Sequence, residues 1–217
     1  MLDILFVSDY VCPYCLVAKT AMKRVLEKEN IEARISYQPY ELTEEPEPRV
    51  DTYHDENRRA HYKVLEEPCA QMGIKMHLPP NVVPRPYTRL AFEGWYFACD
   101  KDKGDEYNDA VMDAYFVRQE DIGDVDVLLN VAASVGLNRE ELWGALQTGV
   151  YTKRVKDAVS FAKNTLRVRG VPTIYVNGDR VKLSSYTEAE MSAILNAANG
   201  VETENPSDGC GEDGCKF

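Results

Sequence analysis

The run "LDILFVS" (2–8), followed at once by "DYVCPYCLVAK" (9–19), restricts the fold of this chain more than any other stretch. The first run is mostly apolar, as in a strand covered on both faces. The second opens a helix. Pro13 stands where the first helical residue belongs, a position whose N–H would have no partner anyway. Val17, Ala21 and Val25 then recur at helical spacing, as do Met22 and Leu26. Lys23, Arg24 and Lys28 crowd the end where cations suit the helix dipole. "ARISYQ" (33–38) alternates apolar and polar residues, the pattern of a half-buried strand. The chain therefore begins with a β-α-β unit. Cys12 and Cys15 form a Cys-x-x-Cys pair at its first strand-to-helix junction.

The middle of the chain reads differently. "TEEPEPRV" (43–50) is acidic and broken by proline, as a linker would be. From 52 to 147 the patterns are helical, at 52–72, 86–101, 105–119, 124–135 and 139–147, with no strand. Gly73 and Gly136 are placed to end two of these helices, and Asn138 with Glu141 to start another. "LPPNVVPRP" (78–86) is a proline-rich connection. After a helix at 152–167, "PTIYV" (172–176) and "RVKL" (180–183) read as strands joined by Asn177, Gly178 and Asp179, a hairpin composition. Thr187 and Glu190 form a capping box for a last helix, whose apolar stripe is Met191, Ile194 and Leu195. The expected architecture is α/β: residues 1–45 and 152–199 build one mixed sheet flanked by helices, and 46–151 form an inserted helical domain. Residues 200–217 make a glycine-rich tail.

Charge and hydropathy remove several function classes. Lys and Arg number 25 against 36 Asp and Glu, a net charge of −11 in 217 residues, with no basic run. A nucleic acid or an anionic membrane is a poor partner for such a surface. No segment approaches the roughly 18 apolar residues of a membrane span. "MLDILFVSDY" lacks a basic leader region and its apolar run is short, so a signal peptide is not expected. The reading is a cytoplasmic protein. In that compartment a close cysteine pair is catalytic or metal-binding more often than structural.

A Cys-x-x-Cys at a helix start has a specific chemical use. The unpaired N–H groups of the first turn and the helix dipole favour a thiolate at Cys12. Cys15, one turn on and more buried, can close a disulfide with it, and the pair then exchanges two electrons through a mixed disulfide. The motif alone leaves three readings open: a redox couple, half of a zinc site, or two thiols that happen to lie close. "RGVPTIYV" (169–176) adds context, because a Val-Pro pair opens its strand.

Four segments together carry a family resemblance: "DILFVSDYVCPYCLVAK", "YTRLAFEGWYFACDK", "VMDAYFVRQEDIGDVDVLLNVAASVGL" and "VRGVPTIYVNG", in that order. The sequence resembles the DsbA-like branch of the thioredoxin superfamily, and within it the FrnE-like dithiol-disulfide isomerases and oxidoreductases. The resemblance implies a thioredoxin-like fold with an inserted helical domain, and thiol–disulfide exchange with protein or small-molecule disulfides. It implies Cys12 as nucleophile, Cys15 as resolving cysteine and Pro172 as a cis proline beside them. The Val171 backbone would then pair with substrate, and Pro13 and Tyr14 would line its site. No cofactor is implied beyond the cysteine pair, and a thiol would serve as electron donor. The dipeptide Pro13-Tyr14 stands where this branch often has Pro-Trp or Pro-His. CPYC is also a glutaredoxin motif, but a glutaredoxin is far shorter. The related kappa-class glutathione transferases share the helical insertion and lack the redox pair.

The tail holds a second pair, Cys210 and Cys215, in "CGEDGC". Glycine flexibility would let these thiols meet, as an auxiliary redox pair or a metal clasp, and the plain alternative is an incidental tail. A non-catalytic zinc module with Cys12, Cys15, Cys210 and Cys215 as ligands is the competing class of function, and a glutathione-using enzyme is the nearest alternative. Cys69 and Cys99 fall in helical patterns and read as small core residues. His54, His61 and His77 share no ligand spacing, and Trp95 with Tyr96 reads as packing of the helical segment.

Overall fold

The computed structural model describes residues 1–200. Four strands form one mixed sheet in the order β2-β1-β3-β4. β1 (Leu2–Ser8) runs parallel to β2 (Ala33–Pro39), with Leu2 opposite Ala33 and Ser8 opposite Pro39. On its other side it pairs antiparallel with β3 (Thr173–Val176), from Ile4 opposite Val176 to Val7 opposite Thr173. β4 (Asp179–Val181) closes the row as a short edge strand. The turn between β3 and β4 is Asn177-Gly178, both at positive φ (52° and 88°), the two-residue geometry that suits strand twist. Asp179 pairs with Val176, so it belongs to the strand and not to the turn expected for it. Asn177 also exchanges two hydrogen bonds with Asp3, donating its N–H to the Asp3 carbonyl and accepting the Asp3 N–H on its side chain.

β1 is covered on both faces only at one end. Leu2, Ile4 and Phe6 enter the main core, and Val7 packs with Tyr40, Ala162 and Val168 behind the sheet, but Asp3 is exposed. The end covered on both faces is the one that leads to Cys12. α1 (Pro13–Lys28) buries Val17, Ala21, Met22 and Val25, the stripe read from its spacing. Its buried Lys19 and half-exposed Lys23 both reach Asp109, at 2.8 and 3.0 Å.

Residues 46–151 hold six helices: α2 (Glu56–Tyr62), α3 (Glu66–Met72), α4 (Arg89–Cys99), α5 (Gly104–Phe116), α6 (Val125–Ser134) and α7 (Arg139–Thr148). The single helix expected over 52–72 is two, separated by a 3₁₀ turn at Lys63–Leu65. Pro68 explains the break: it has no N–H for the carbonyl four residues back, and its ring crowds that carbonyl. α4 starts three residues later than expected because Pro84 and Pro86 precede it. Gly73 (φ 61°) ends α3, and Asn138 starts α7 by accepting the N–H groups of Glu140 and Glu141. Gly136 (φ 82°) follows the end of α6.

The helical segment shares its core with the sheet. Tyr10 stacks on Phe92 of α4 with ring centroids 4.6 Å apart, and Tyr37 of β2 meets Trp95 edge-on at 6.5 Å. α4 and α5 approach closely at Gly94. A Cβ there would come within 2.8 Å of the Tyr107 ring carbon that carries the hydroxyl. The helix expected over 152–167 is α8 (Thr152–Ser160) followed by a π turn at Phe161–Thr165. α9 (Glu188–Gly200) packs against α1. Its capping differs from the expected box. Thr187 accepts the Glu190 N–H, but the Glu190 carboxylate reaches past Thr187 to the N–H groups of Ser184, Ser185 and Tyr186.

Candidate functional site

β1 delivers the chain to a short turn, Asp9 to Val11, and α1 leaves from it. Cys12 is the N-cap of α1 (φ −96°, ψ 111°), and Pro13 is its first residue. The Cys12 N–H donates to the Asp9 carbonyl at 3.2 Å, and the Cys15 N–H donates to the Cys12 carbonyl at 3.0 Å. These two bonds fix the turn and hold both thiols at the helix start. From the far half of the sequence, β3 brings Val171 and Pro172 to the same place. The Cys12 thiol donates to the Val171 carbonyl oxygen at 3.4 Å. The Val171–Pro172 bond is cis. Thr173, next in the chain, donates its hydroxyl to the Gly170 carbonyl at 2.8 Å and secures this corner.

The two cysteines differ. Cys12 is only 4% exposed but lines a cleft of about 810 Å³, together with Val11, Pro13, Tyr14, Tyr62 and Val171. Cys15 lies beneath it and is fully buried. Burial pushes the Cys15 thiol well above its ordinary range, and its hydrogen bond and proximity to Cys12 push it the same way. The first thiol can meet a substrate, whereas the second can reach only the first. Tyr14 forms part of an aromatic wall. Its hydroxyl donates to the His61 carbonyl at 2.9 Å, and its ring lies 5.2 Å from Tyr186 and 6.2 Å from Tyr62. Pro172 does not face this cleft. It lines a neighbouring one of about 590 Å³ with β4, so the Val171–Pro172 corner divides the two.

Several polar groups at the site carry no distinctive sequence signal. Asp9 is buried, with one carboxylate oxygen accepting the Leu42 N–H at 2.7 Å and the other without a partner. Burial raises its pKa, against the pull of the Leu42 hydrogen bond and the charge of Arg85. Glu41, also buried, is pushed up to about 7, mainly by burial and then by repulsion from Asp9 and Glu44. Arg85 is buried on the cleft wall and donates to the Thr43 hydroxyl at 2.7 Å. In sequence, these are charges like any on a surface. Only the apolar runs beside Asp9 hint otherwise.

Apart from His61, the remaining candidates fall away from the cleft or outside the described residues. Burial pushes the thiols of Cys69 and Cys99 up to about 11, as suits packing residues. His54 pairs with Asp51, and His61, on the cleft rim, bonds through Nδ1 to the Asn57 carbonyl. Among the described residues no group of three or more His, Cys, Asp or Glu side chains could hold a metal ion. Cys210 and Cys215 lie outside the described residues.

A family model described as a DSBA-like thioredoxin domain matches residues 3–193. The chain belongs to that family. The mixed sheet and the helical segment are thus those of a DsbA-like thioredoxin fold. The DsbA-like chain is 37% identical over 175 residues to the uncharacterized protein YwbO of Bacillus subtilis (strain 168), covering 80% of this chain and 86% of that one. It superposes on a probable DsbA oxidoreductase from Streptomyces coelicolor with a TM-score of 0.78 at 19% identity, over 100% of this chain and 99% of the other. The cytosolic disulfide reductase DsbM from Pseudomonas aeruginosa, solved with GSH, matches with a TM-score of 0.67 at 14% identity, over 92% and 100%. Both solved structures share the fold. No helix among the described residues is long and apolar enough to cross a membrane.

Proposed function

We propose that this chain is a thiol–disulfide oxidoreductase or isomerase of the FrnE-like branch, with Cys12 as nucleophile and Cys15 as resolving cysteine. The observation that carries the reading is the placement of the two thiols at the start of α1: Cys12, 4% exposed, lines the cleft, and Cys15, fully buried, does not. In the first step the Cys12 thiolate attacks a substrate disulfide. A Cys12–substrate disulfide forms and the other substrate sulfur leaves as a thiolate. In the second step the Cys15 thiolate attacks Cys12, the Cys12–Cys15 disulfide forms, and the remaining substrate sulfur departs. Two electrons have passed to the substrate. A thiol donor returns them by the reverse exchange and is itself oxidised to a disulfide. When the substrate instead attacks its own mixed disulfide before Cys15 does, the outcome is isomerisation with no net electron transfer.

Val171 presents its carbonyl to the Cys12 thiol and its backbone to the substrate, Pro172 holds that corner, and Pro13 and Tyr14 flank the approach. The pair needs no other cofactor for this chemistry. A donor-maintained dithiol belongs in a reducing compartment, so the proposed location is the cytoplasm. A second reading, exchange with glutathione, draws on the size of the cleft and on the DsbM structure solved with GSH. Cys210 and Cys215 are proposed as an auxiliary dithiol that exchanges with the first pair; a Cys210→Ser/Cys215→Ser variant would then turn over more slowly. The test of the main reading is reduction of a protein disulfide, such as insulin, with a dithiol donor. Activity should fall to the uncatalysed background in Cys12→Ser. Undiminished activity in that variant would refute the assignment.

A further inference from the structure

Arg85 poses a problem that the thiol chemistry leaves unsolved. It is only 6% exposed, and among the described residues it forms no ion pair. One guanidinium nitrogen is tied to the Thr43 hydroxyl at 2.7 Å, while its buried Nε has no partner at all. The exposed arginines do better: Arg34 holds Asp3, Arg58 holds Asp55 and Arg118 holds Glu120. This ordering is the reverse of what burial energetics favour, because an unpaired charge costs far more inside than at the surface.

Asp9 does not resolve it. The charge of Arg85 is felt at Asp9, but the two make no ion pair, and burial favours the protonated form of Asp9. Two other acids, Glu47 and Asp55, line the cleft. Asp55 is committed to Arg58 and to capping α2. Glu47 is exposed at the rim. Arg85 and Cys12 line the same cleft, whose volume of about 810 Å³ is that of a small-molecule site. A planar, permanently charged fork on the wall of such a cleft is suited to bidentate capture of a carboxylate.

We propose that Arg85 anchors a carboxylate of the substrate, so that the cleft selects low-molecular-weight disulfides bearing a carboxylate within one small molecule's length of the sulfur. The inference rests on the oxidoreductase reading of Cys12 and adds the substrate class. The chemistry is unchanged: Cys12 takes one sulfur of the anionic disulfide, the carboxylate-bearing thiolate leaves, and Cys15 releases the second. Two equivalents of acidic thiol result, and the two electrons come from the thiol donor.

Two matched disulfides test it on the reduced full-length protein: 3,3′-dithiodipropionate, a dianion, and bis(2-hydroxyethyl) disulfide, which is neutral. The overall charge of −11 should repel the dianion. The proposal nevertheless predicts that it reacts about tenfold faster than the neutral disulfide, relative to the same ratio for a free model thiol. In Arg85→Gln that ratio should collapse, and Arg85→Lys should restore part of it. Because the readout is a ratio, a general loss of reactivity cancels. An unchanged ratio in Arg85→Gln, or no preference in the wild type, overturns the anchor and leaves the oxidoreductase reading standing. Failure of both disulfides to react overturns the two together. Should Arg85→Gln fail to fold, the wild type decides. Glutarate should slow alkylation of Cys12 by neutral iodoacetamide saturably, and glutaramide should not. Equal effects of the two, or none, refute the anchor.

Discussion

The Cys12 thiol lies 3.4 Å from the carbonyl oxygen of Val171, across 159 residues of sequence. The sheet makes this contact. β1 ends beside the start of β3, with Val7 opposite Thr173, so the residue four past the end of β1 and the residue two before β3 meet at one corner. The reactive thiol, the substrate-facing backbone and the helix start are held by hydrogen-bonded strands and need no long loop.

Within the Cys12–Cys15 pair, alkylation should follow access to the cleft. With a small electrophile such as iodoacetamide, Cys12 should label before Cys15, because it lines the cleft. Cys15 should lag by at least about tenfold, since it is fully buried and its thiol is pushed well above the ordinary range. Peptide mapping of partly labelled protein reads the order directly. Equal labelling would contradict the arrangement.

The second step should depend on pH in a specific way. Once Cys12 is in a mixed disulfide its own charge is gone, but burial, the largest cause of the Cys15 shift, remains. The Cys15 thiolate fraction should therefore keep rising past the ordinary thiol value of about 8.5, by roughly tenfold per pH unit. With a symmetric chromogenic disulfide, release of the second coloured thiolate reports this rate. A plateau near pH 8.5 would mean that Cys15 is not the buried group that acts.

Glu41 should make the fold weaken as pH rises. Its carboxyl is held near 7 in the folded state, above its unfolded value, so the native state binds the extra proton. That stability is fully present below the unfolded value and is lost as pH climbs through about 7. Glu41→Gln should flatten the decline and stabilise the protein at pH 8, by about 3 kcal/mol at most. Urea melts of both proteins at pH 5 and pH 8 check the sign.

Gly94 and Tyr107 should be coupled. A Cβ at Gly94 would press into the Tyr107 ring and hydroxyl, so Gly94→Ala should cost about 1–3 kcal/mol. The Tyr107 hydroxyl is buried without a partner, so Tyr107→Phe alone should be close to neutral. The double variant should be more stable than the sum of the single effects, because the hydroxyl is what the new methyl strikes first. Thermal melts of the four proteins give the coupling.

Local chemistry decided what could be read in advance. Pro13, Gly73, Asn138 and the Asn177-Gly178 turn act through their own backbones, so each is visible in a few residues of sequence. The break at Lys63–Leu65 was visible in principle, since Pro68 stands in the run, but the apolar spacing on either side masked it. The reach of Glu190 past Thr187 depends on how Ser184 to Tyr186 fold back, which no spacing rule contains. Asp9, Glu41 and Arg85 are the harder case. A buried charge and a surface charge are the same letter, and only the packing of the chain around them separates the two. Cys210 and Cys215 lie outside the described residues, so their part of the reading rests on sequence alone.

The order of the two cysteines is the centre of this account, and trapping tests it most directly. Reduced Cys15→Ser and Cys12→Ser proteins are each exposed to bis(2-hydroxyethyl) disulfide, quenched with acid, and examined by intact-mass and peptide mass spectrometry. Cys15→Ser should accumulate one stable mixed disulfide, mapped to Cys12. Cys12→Ser should remain unmodified over the same period. An adduct on Cys15 in the second protein at a comparable rate, or none on Cys12 in the first, would contradict the assignment.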